Sequence, residues 1–185
     1  MRTLSSLILP ALWLALPAAA QVAEATPAPP ATKGGYVEPP PPTPISAEAE
    51  ATLRQINAYR AAGANCGGQS MPPAPPLVWS AALQKAAEVQ VARNARIGDV
   101  SHTGADGSSV GQRITAAGFE WRAAGENAAA GNDSVRGTLA QWMGSPGHCR
   151  NMMGADFQQV AVARKDNLSS TYRFYWIMVL GTPIR

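Results

Sequence analysis

Residues 159–180 read Gln159-Val160-Ala161-Val162-Ala163-Arg164-Lys165-Asp166-Asn167-Leu168-Ser169-Ser170-Thr171-Tyr172-Arg173-Phe174-Tyr175-Trp176-Ile177-Met178-Val179-Leu180. The stretch opens by alternating polar or small residues with branched ones, and from Tyr172 to Leu180 it is aromatic and aliphatic almost throughout. That is the pattern of strands rather than of a helix. Asp166 to Ser170 lies between them with turn chemistry. The segment therefore reads as a C-terminal β-hairpin whose second strand is buried on both faces. Upstream, the period is helical. Ser46 is a candidate N-cap, followed by Ala49, Leu53, Ile56 and Tyr59 or Arg60, with a stop near Gly63. Met71 to Pro76 is a Pro-rich loop leading to Leu77-Val78-Trp79. Ser80 then caps a second helix with Leu83, Ala87 and Val91 on its buried stripe. Ser109 to Ala117 reads as a short helix stopped by Gly118. Asp133 or Ser134 opens another, with Val135, Leu139 and Trp142 on one face and Gly144-Ser145-Pro146 closing it. Helices first and a hairpin last, with short strands between, predict an α+β layered domain. No strand leads into a glycine-rich helix start, which argues against a dinucleotide-binding βαβ unit.

The rest of the 185 residues divides by composition. Met1 to Ala20 has Arg2 as a positive n-region, an apolar run from Leu4 to Leu16, and Ala18-Ala19-Ala20 before Gln21. This is the layout of a cleaved secretory signal. The run is shorter than the ~20 residues a membrane span needs, and Pro10 and Pro17 interrupt it. Residues 21–45 hold eight of the 16 prolines, including Pro39-Pro40-Pro41-Pro42. They read as an extended spacer. Residues 46–185 are then a single domain in an exported, periplasmic or secreted protein. A formal charge of +3, from 15 Lys and Arg against 12 Asp and Glu, is too weak a bias to imply a nucleic-acid partner. Two histidines and two cysteines exclude most zinc-finger, haem and iron–sulfur frameworks.

Chemistry is concentrated in three stretches. They are Ser101-His102-Thr103-Gly104-Ala105-Asp106-Gly107-Ser108-Ser109, Gly125-Glu126-Asn127, and Trp142-Met143-Gly144-Ser145-Pro146-Gly147-His148-Cys149-Arg150-Asn151. Both histidines fall here, and each reads as a loop residue among small neighbours, with imidazole nitrogens accessible to a ligand or a proton. The alternative is a pair of surface histidines making capping hydrogen bonds. Cys66 and Cys149, in an exported domain, point to one disulfide. The rival reading makes Cys149 a nucleophile or metal ligand beside His148.

Taken together, these motifs resemble the bacterial branch of the CAP superfamily, the cysteine-rich secretory, antigen 5 and pathogenesis-related proteins whose domain is also called SCP. The resemblance runs from about Leu53 to Thr182. It includes Asn57-x-Tyr59-Arg60, Pro76-Leu77-x-Trp79 and Tyr175-Trp176. It implies a three-layer α-β-α sandwich with a broad cleft lined by two histidines and two acidic residues. Carried over by motif, these are His102, Glu126 and His148. The second glutamate would stand three residues after the helix tryptophan, where this chain has Ser145. Asp106 is the nearby acid that would replace it in part, and Asn127 is a further cleft neighbour. A second departure is Gly154 after Met152-Met153, where the bacterial pattern usually has Asn-Pro.

Three function classes use these residues. His102, His148 and Glu126, with water in an open fourth position, meet the requirement for a conditional divalent metal such as zinc. No cofactor is otherwise required. A hydrolase would take Ser145 as nucleophile with His148 and Glu126, or a metal-bound water. Against it, no Gly-x-Ser-x-Gly elbow is present, and Pro146 supplies no backbone donor to an oxyanion hole. The third class, which the resemblance also implies, is a binding module for a lipid, sterol, small molecule or protein. Phe119, Trp121, Tyr175 and Trp176 are its candidate apolar contacts, although a chain with three Phe needs most of its aromatics in the core. Binding is favoured over turnover.

Overall fold

The computed structural model describes residues 44–184. The signal expected at 1–20 and the spacer expected at 21–45, except Pro44 and Ile45, lie outside the described residues. In chain order the elements are α1 (Ala47–Ala62), β1 (Ala64–Cys66), β2 (Gln69–Met71), β3 (Val78–Trp79), α2 (Ala81–Ile97), α3 (Val110–Ala116), β4 (Trp121–Ala130), α4 (Val135–Gly144), α5 (Pro146–Met153), β5 (Gln159–Asn167) and β6 (Arg173–Pro183).

The apolar run in β6 organises the layers. Side chains alternate across a strand, so Tyr175, Ile177 and Val179 join one core with Leu83, Ala87 and Val91 of α2 and Ile114 of α3. Trp176, Met178 and Leu180 join the other with Ile56 of α1, Leu139 and Trp142 of α4, and Met152 of α5. The result is the α-β-α sandwich. β6 pairs antiparallel with β5 and with β4, and β3 adds parallel to β5, giving the order β3-β5-β6-β4.

The helix starts fall where the sequence puts them. Ser46, Ser80, Ser109 and Ser134 each accept a first-turn N–H, and Ser109 forms a capping box with Gln112. Asn57 exchanges two hydrogen bonds with the Leu77 backbone, 2.8 and 2.9 Å. Arg60, fully buried, donates from Nε to Pro75 O (2.8 Å) and from Nη1 to Met152 O (2.7 Å) and Gly154 O (3.0 Å). The Asn57-x-x-Arg60 motif thus staples α1 to the Pro-rich loop and to the end of α5.

The structure corrects one local expectation, the loop placement of His148, and adds two elements that the sequence does not reveal. Trp121–Ala130 is a ten-residue strand that the Ala-rich sequence conceals, because alanine has little strand preference. Its pairing with β6 overrides that preference. His148 lies on a helix rather than in a loop, because Pro146 sits at a first-turn position where its missing N–H costs nothing. Residues 64–71 form a small hairpin turning at Gly67-Gly68, both with positive φ.

Candidate functional site

β4 is an edge strand, and neighbouring side chains on it point to opposite layers. Glu126 meets Arg113 of α3, while Asn127 donates from Nδ2 to the His148 carbonyl of α5 (3.0 Å). Asn151 links the two positions, donating to Glu126 O (3.3 Å) and to Asn127 Oδ1 (2.9 Å). A Cβ at Gly125 would stand 2.9 Å from the Phe157 ring, so glycine there leaves space for that ring.

The loop carrying His102 is held from two sides. Gln90 and Asn94, buried on α2, donate to Ser101 O (2.6 and 3.1 Å), and Gln90 also reaches Thr103 O (3.2 Å). From α3, Arg113 Nη1 donates to His102 O (3.1 Å) and Ser108 O (2.8 Å). Its Nη2 donates to Glu126 Oε2 at 2.6 Å. The other carboxylate oxygen, Oε1, lies 2.8 Å from His102 Nδ1. A carboxylate accepts, so Nδ1 carries the proton and the Nε2 edge is turned away from Glu126. The buried part of this chain is Arg113 and Glu126, with side chains 3% and 2% exposed, and the His102 side chain is 58% exposed. His102, Thr103, Ser108, Glu126 and Asn151 help line an open cavity of about 600 Å³.

The two imidazoles are driven in opposite directions. The hydrogen bond from His102 to Glu126 raises the His102 pKa, and the carboxylate's charge adds to this against partial burial and the positive Arg113. Burial lowers the His148 pKa, and the charge of His102 lowers it further. Stability follows from each sign. The His102 contribution is complete below the ordinary imidazole value of about 6.5 and is lost as pH rises through its higher folded value. His148 works the other way, costing stability as pH falls from that value through its lower folded one. Ring titration by NMR is expected to resolve two histidines, His102 above the ordinary value and His148 below it. Glu126→Gln should bring His102 down. Two coincident titrations, unmoved by that substitution, would contradict the geometry.

The other sequence candidates separate from this group. His148 does not line the cavity at His102 and is coupled to it through charge and through Asn127. Ser145 ends α4 and begins α5, and its hydroxyl makes no capping bond. Glu126 orients His102, whereas the histidine beside Ser145 in sequence is His148, so nucleophile, base and orienting acid do not fall into one row. Asp106 accepts from the Ser108 N–H (2.9 Å) and lines a neighbouring cavity of about 660 Å³ between α2 and α3. Phe119, Tyr175 and Trp176 are core residues, and Trp121 packs against Gly111. Cys66 and Cys149 form the expected disulfide.

A three-ligand zinc centre does not fit these residues. Glu126 has committed both oxygens, one to His102 and one to Arg113, which leaves only imidazoles from the expected set. Among the described residues no three His, Cys, Asp or Glu side chains are grouped to hold a metal ion. Arg113, Gln90 and Asn94 were not among the sequence candidates. The signal for the two amides was their helical spacing, which puts them on the buried side of α2 with Ala87 and Val91.

The family model described as the cysteine-rich secretory protein family, CAP, matches residues 53–180. Among solved structures, an outer surface protein of Borrelia burgdorferi is similar with a TM-score of 0.57 and 16% identity, over 73% of this chain and 95% of that one. An extracellular SCP-domain protein of Bacillus anthracis is similar with a TM-score of 0.51 and 19% identity, over 76% of this chain and 45% of that one. At these identities the structural likeness is one of fold. No curated protein sequence matches significantly.

Proposed function

The chain belongs to the cysteine-rich secretory protein (CAP) family, and from that membership we propose that it is an exported binding module whose ligand seats in the open cavity at His102. One observation carries the reading. Glu126, itself held by Arg113, binds the Nδ1 edge of the His102 ring, and the His102 side chain is 58% exposed. This is the arrangement by which a protein fixes an imidazole's tautomer and direction for contact with something outside itself. The secretory leader read at residues 1–20 supports an extracytoplasmic setting. So do the two structural relatives, one described as an outer surface protein and one as extracellular. Among the described residues no helix is long and apolar enough to cross a membrane.

Binding is preferred to hydrolysis because the groups a serine hydrolase aligns on one histidine are here divided between two. A panel of ester and peptide substrates is expected to show no turnover above that of His102→Ala and Ser145→Ala. Turnover in the wild-type protein that disappears in either variant would replace the binding reading with a hydrolytic one.

A further inference from the structure

We infer that Arg113 is the positioning residue of the cleft, its guanidinium acting as a built-in cation around which the His102 loop and Glu126 are assembled. Three oxygens converge on its two terminal nitrogens. Nη1 takes the carbonyls of His102 and Ser108, at 3.1 and 2.8 Å, and Nη2 takes Glu126 Oε2 at 2.6 Å. Two of those oxygens lie in the loop that carries His102, and the third belongs to the carboxylate that orients the ring.

The carbonyls of His102 and Ser108 and the carboxylate of Glu126 are all acceptors, and the guanidinium is the donor they share. Ser108 O also takes the Gly104 N–H, so among the described residues it is His102 O and Glu126 Oε2 that would be left without a donor. Glu126 cannot supply that donor. The Gly104 N–H is taken by Ser108 O, which bends the loop at that point, and Asp106 holds the Ser108 N–H. Neither contact reaches His102. Gln90 and Asn94 grip Ser101 and Thr103, one residue to either side. That leaves Arg113 as the side chain bonding to the His102 backbone. The shape of the group matters as well as its charge. A planar fork with several fixed donors spans three separate oxygens, whereas a lysine ammonium is a point charge on a flexible stem. The Nε of Arg113 is buried with no acceptor, so the hold is made wholly by the two terminal nitrogens. The charged groups acting on the ring are Glu126 from β4 and Arg113 from α3, and the ring acts in turn on His148 from α5. The same contact explains why Glu126 is not free for a metal ion, since the place of a cation beside it is already taken.

Arg113 acts in the same cleft as the proposed binding site, but its role needs no ligand. Discovery of hydrolytic turnover would end the earlier reading and leave this one standing. The test uses the full chain and the NMR signal of the His102 ring proton on Nδ1, with the Trp176 indole N–H, bonded to Asn132 O at 2.8 Å, as a control remote from Arg113. In Arg113→Ala the ring proton should exchange with water about tenfold faster or more, a factor equivalent to roughly 1.4 kcal/mol, while the indole signal persists. Ethylguanidinium at millimolar concentration should restore it saturably in the variant and leave the wild type unchanged. Arg113→Lys should give only partial protection. A protected ring proton in Arg113→Ala, or loss that ethylguanidinium does not reverse, overturns the inference. Should the alanine variant fail to fold, Arg113→Lys decides alone, because full protection with lysine would mean that the fork is not what positions His102.

Discussion

Replacing both Cys66 and Cys149 by alanine, or reducing the bond between them, is expected to lower unfolding stability by about 4 kcal/mol. The magnitude comes from the length of chain the bridge closes. The cysteines stand 83 positions apart with Cα atoms separated by 5.5 Å. A loop of that size loses roughly 4–4.7 kcal/mol of unfolded-state entropy in the chain-entropy account, before any native strain is subtracted. For a domain of this length, that corresponds to a fall in Tm on the order of 10–15 °C. Both sulfurs are fully buried, against Met153, Met71 and Met143, so the alanine variant also leaves a small void. Calorimetry with and without reductant measures the effect directly, and superimposable melts would show that the sandwich does not rely on the bridge. The effect should be uneven within the cleft. Cys149 follows His148 on α5, so His148 loses an anchor, whereas His102 is held by Gln90, Asn94 and Arg113 and should keep its ring-proton signal.

The parts of the fold that were legible in the sequence are those in which one residue type does one local job. The four serine caps, and a strand apolar on both parities, can be read without knowing what packs against them. β6 is the clearest example, since an unbroken run of large apolar side chains must be covered on both sides to be stable. β4 carries the opposite lesson. Its sequence, Trp121-Arg122-Ala123-Ala124-Gly125-Glu126-Asn127-Ala128-Ala129-Ala130, has small residues because helices approach closely on both faces. That closeness is a property of the assembled sandwich and leaves no periodic trace. The site divides in the same way. His102 and His148 stand out as the chain's two histidines among small neighbours, and Glu126 through family resemblance. Arg113 looks like one charged residue on a short surface helix. Its burial is compensated by two carbonyls and a carboxylate from elsewhere in the chain, which no local pattern encodes.

Replacing Arg113 by leucine is expected to destabilise the fold by about 3–5 kcal/mol, the usual cost of removing one member of a buried ion pair. The cost arises less from the lost attraction than from what remains behind. Glu126, at 2% side-chain exposure, keeps His102 on Oε1 but loses its partner on Oε2, and two carbonyls lose a donor. Because His102 is largely exposed, solvent screens its charge and it cannot stand in for the guanidinium. Glu126→Gln alone should cost less, since an amide retains one acceptor and adds donors. The combination Arg113→Leu with Glu126→Gln should be milder than the sum of the two single changes by about 1–3 kcal/mol, the range for residues that touch. Urea denaturation of the four proteins, with slopes checked for constancy, closes this cycle. Additive single effects would mean that the two side chains serve separate structural purposes. A coupling of the expected size would mean that the carboxylate orienting His102 is itself kept in place by Arg113, so that cleft geometry and fold stability are lost together when the pair is broken.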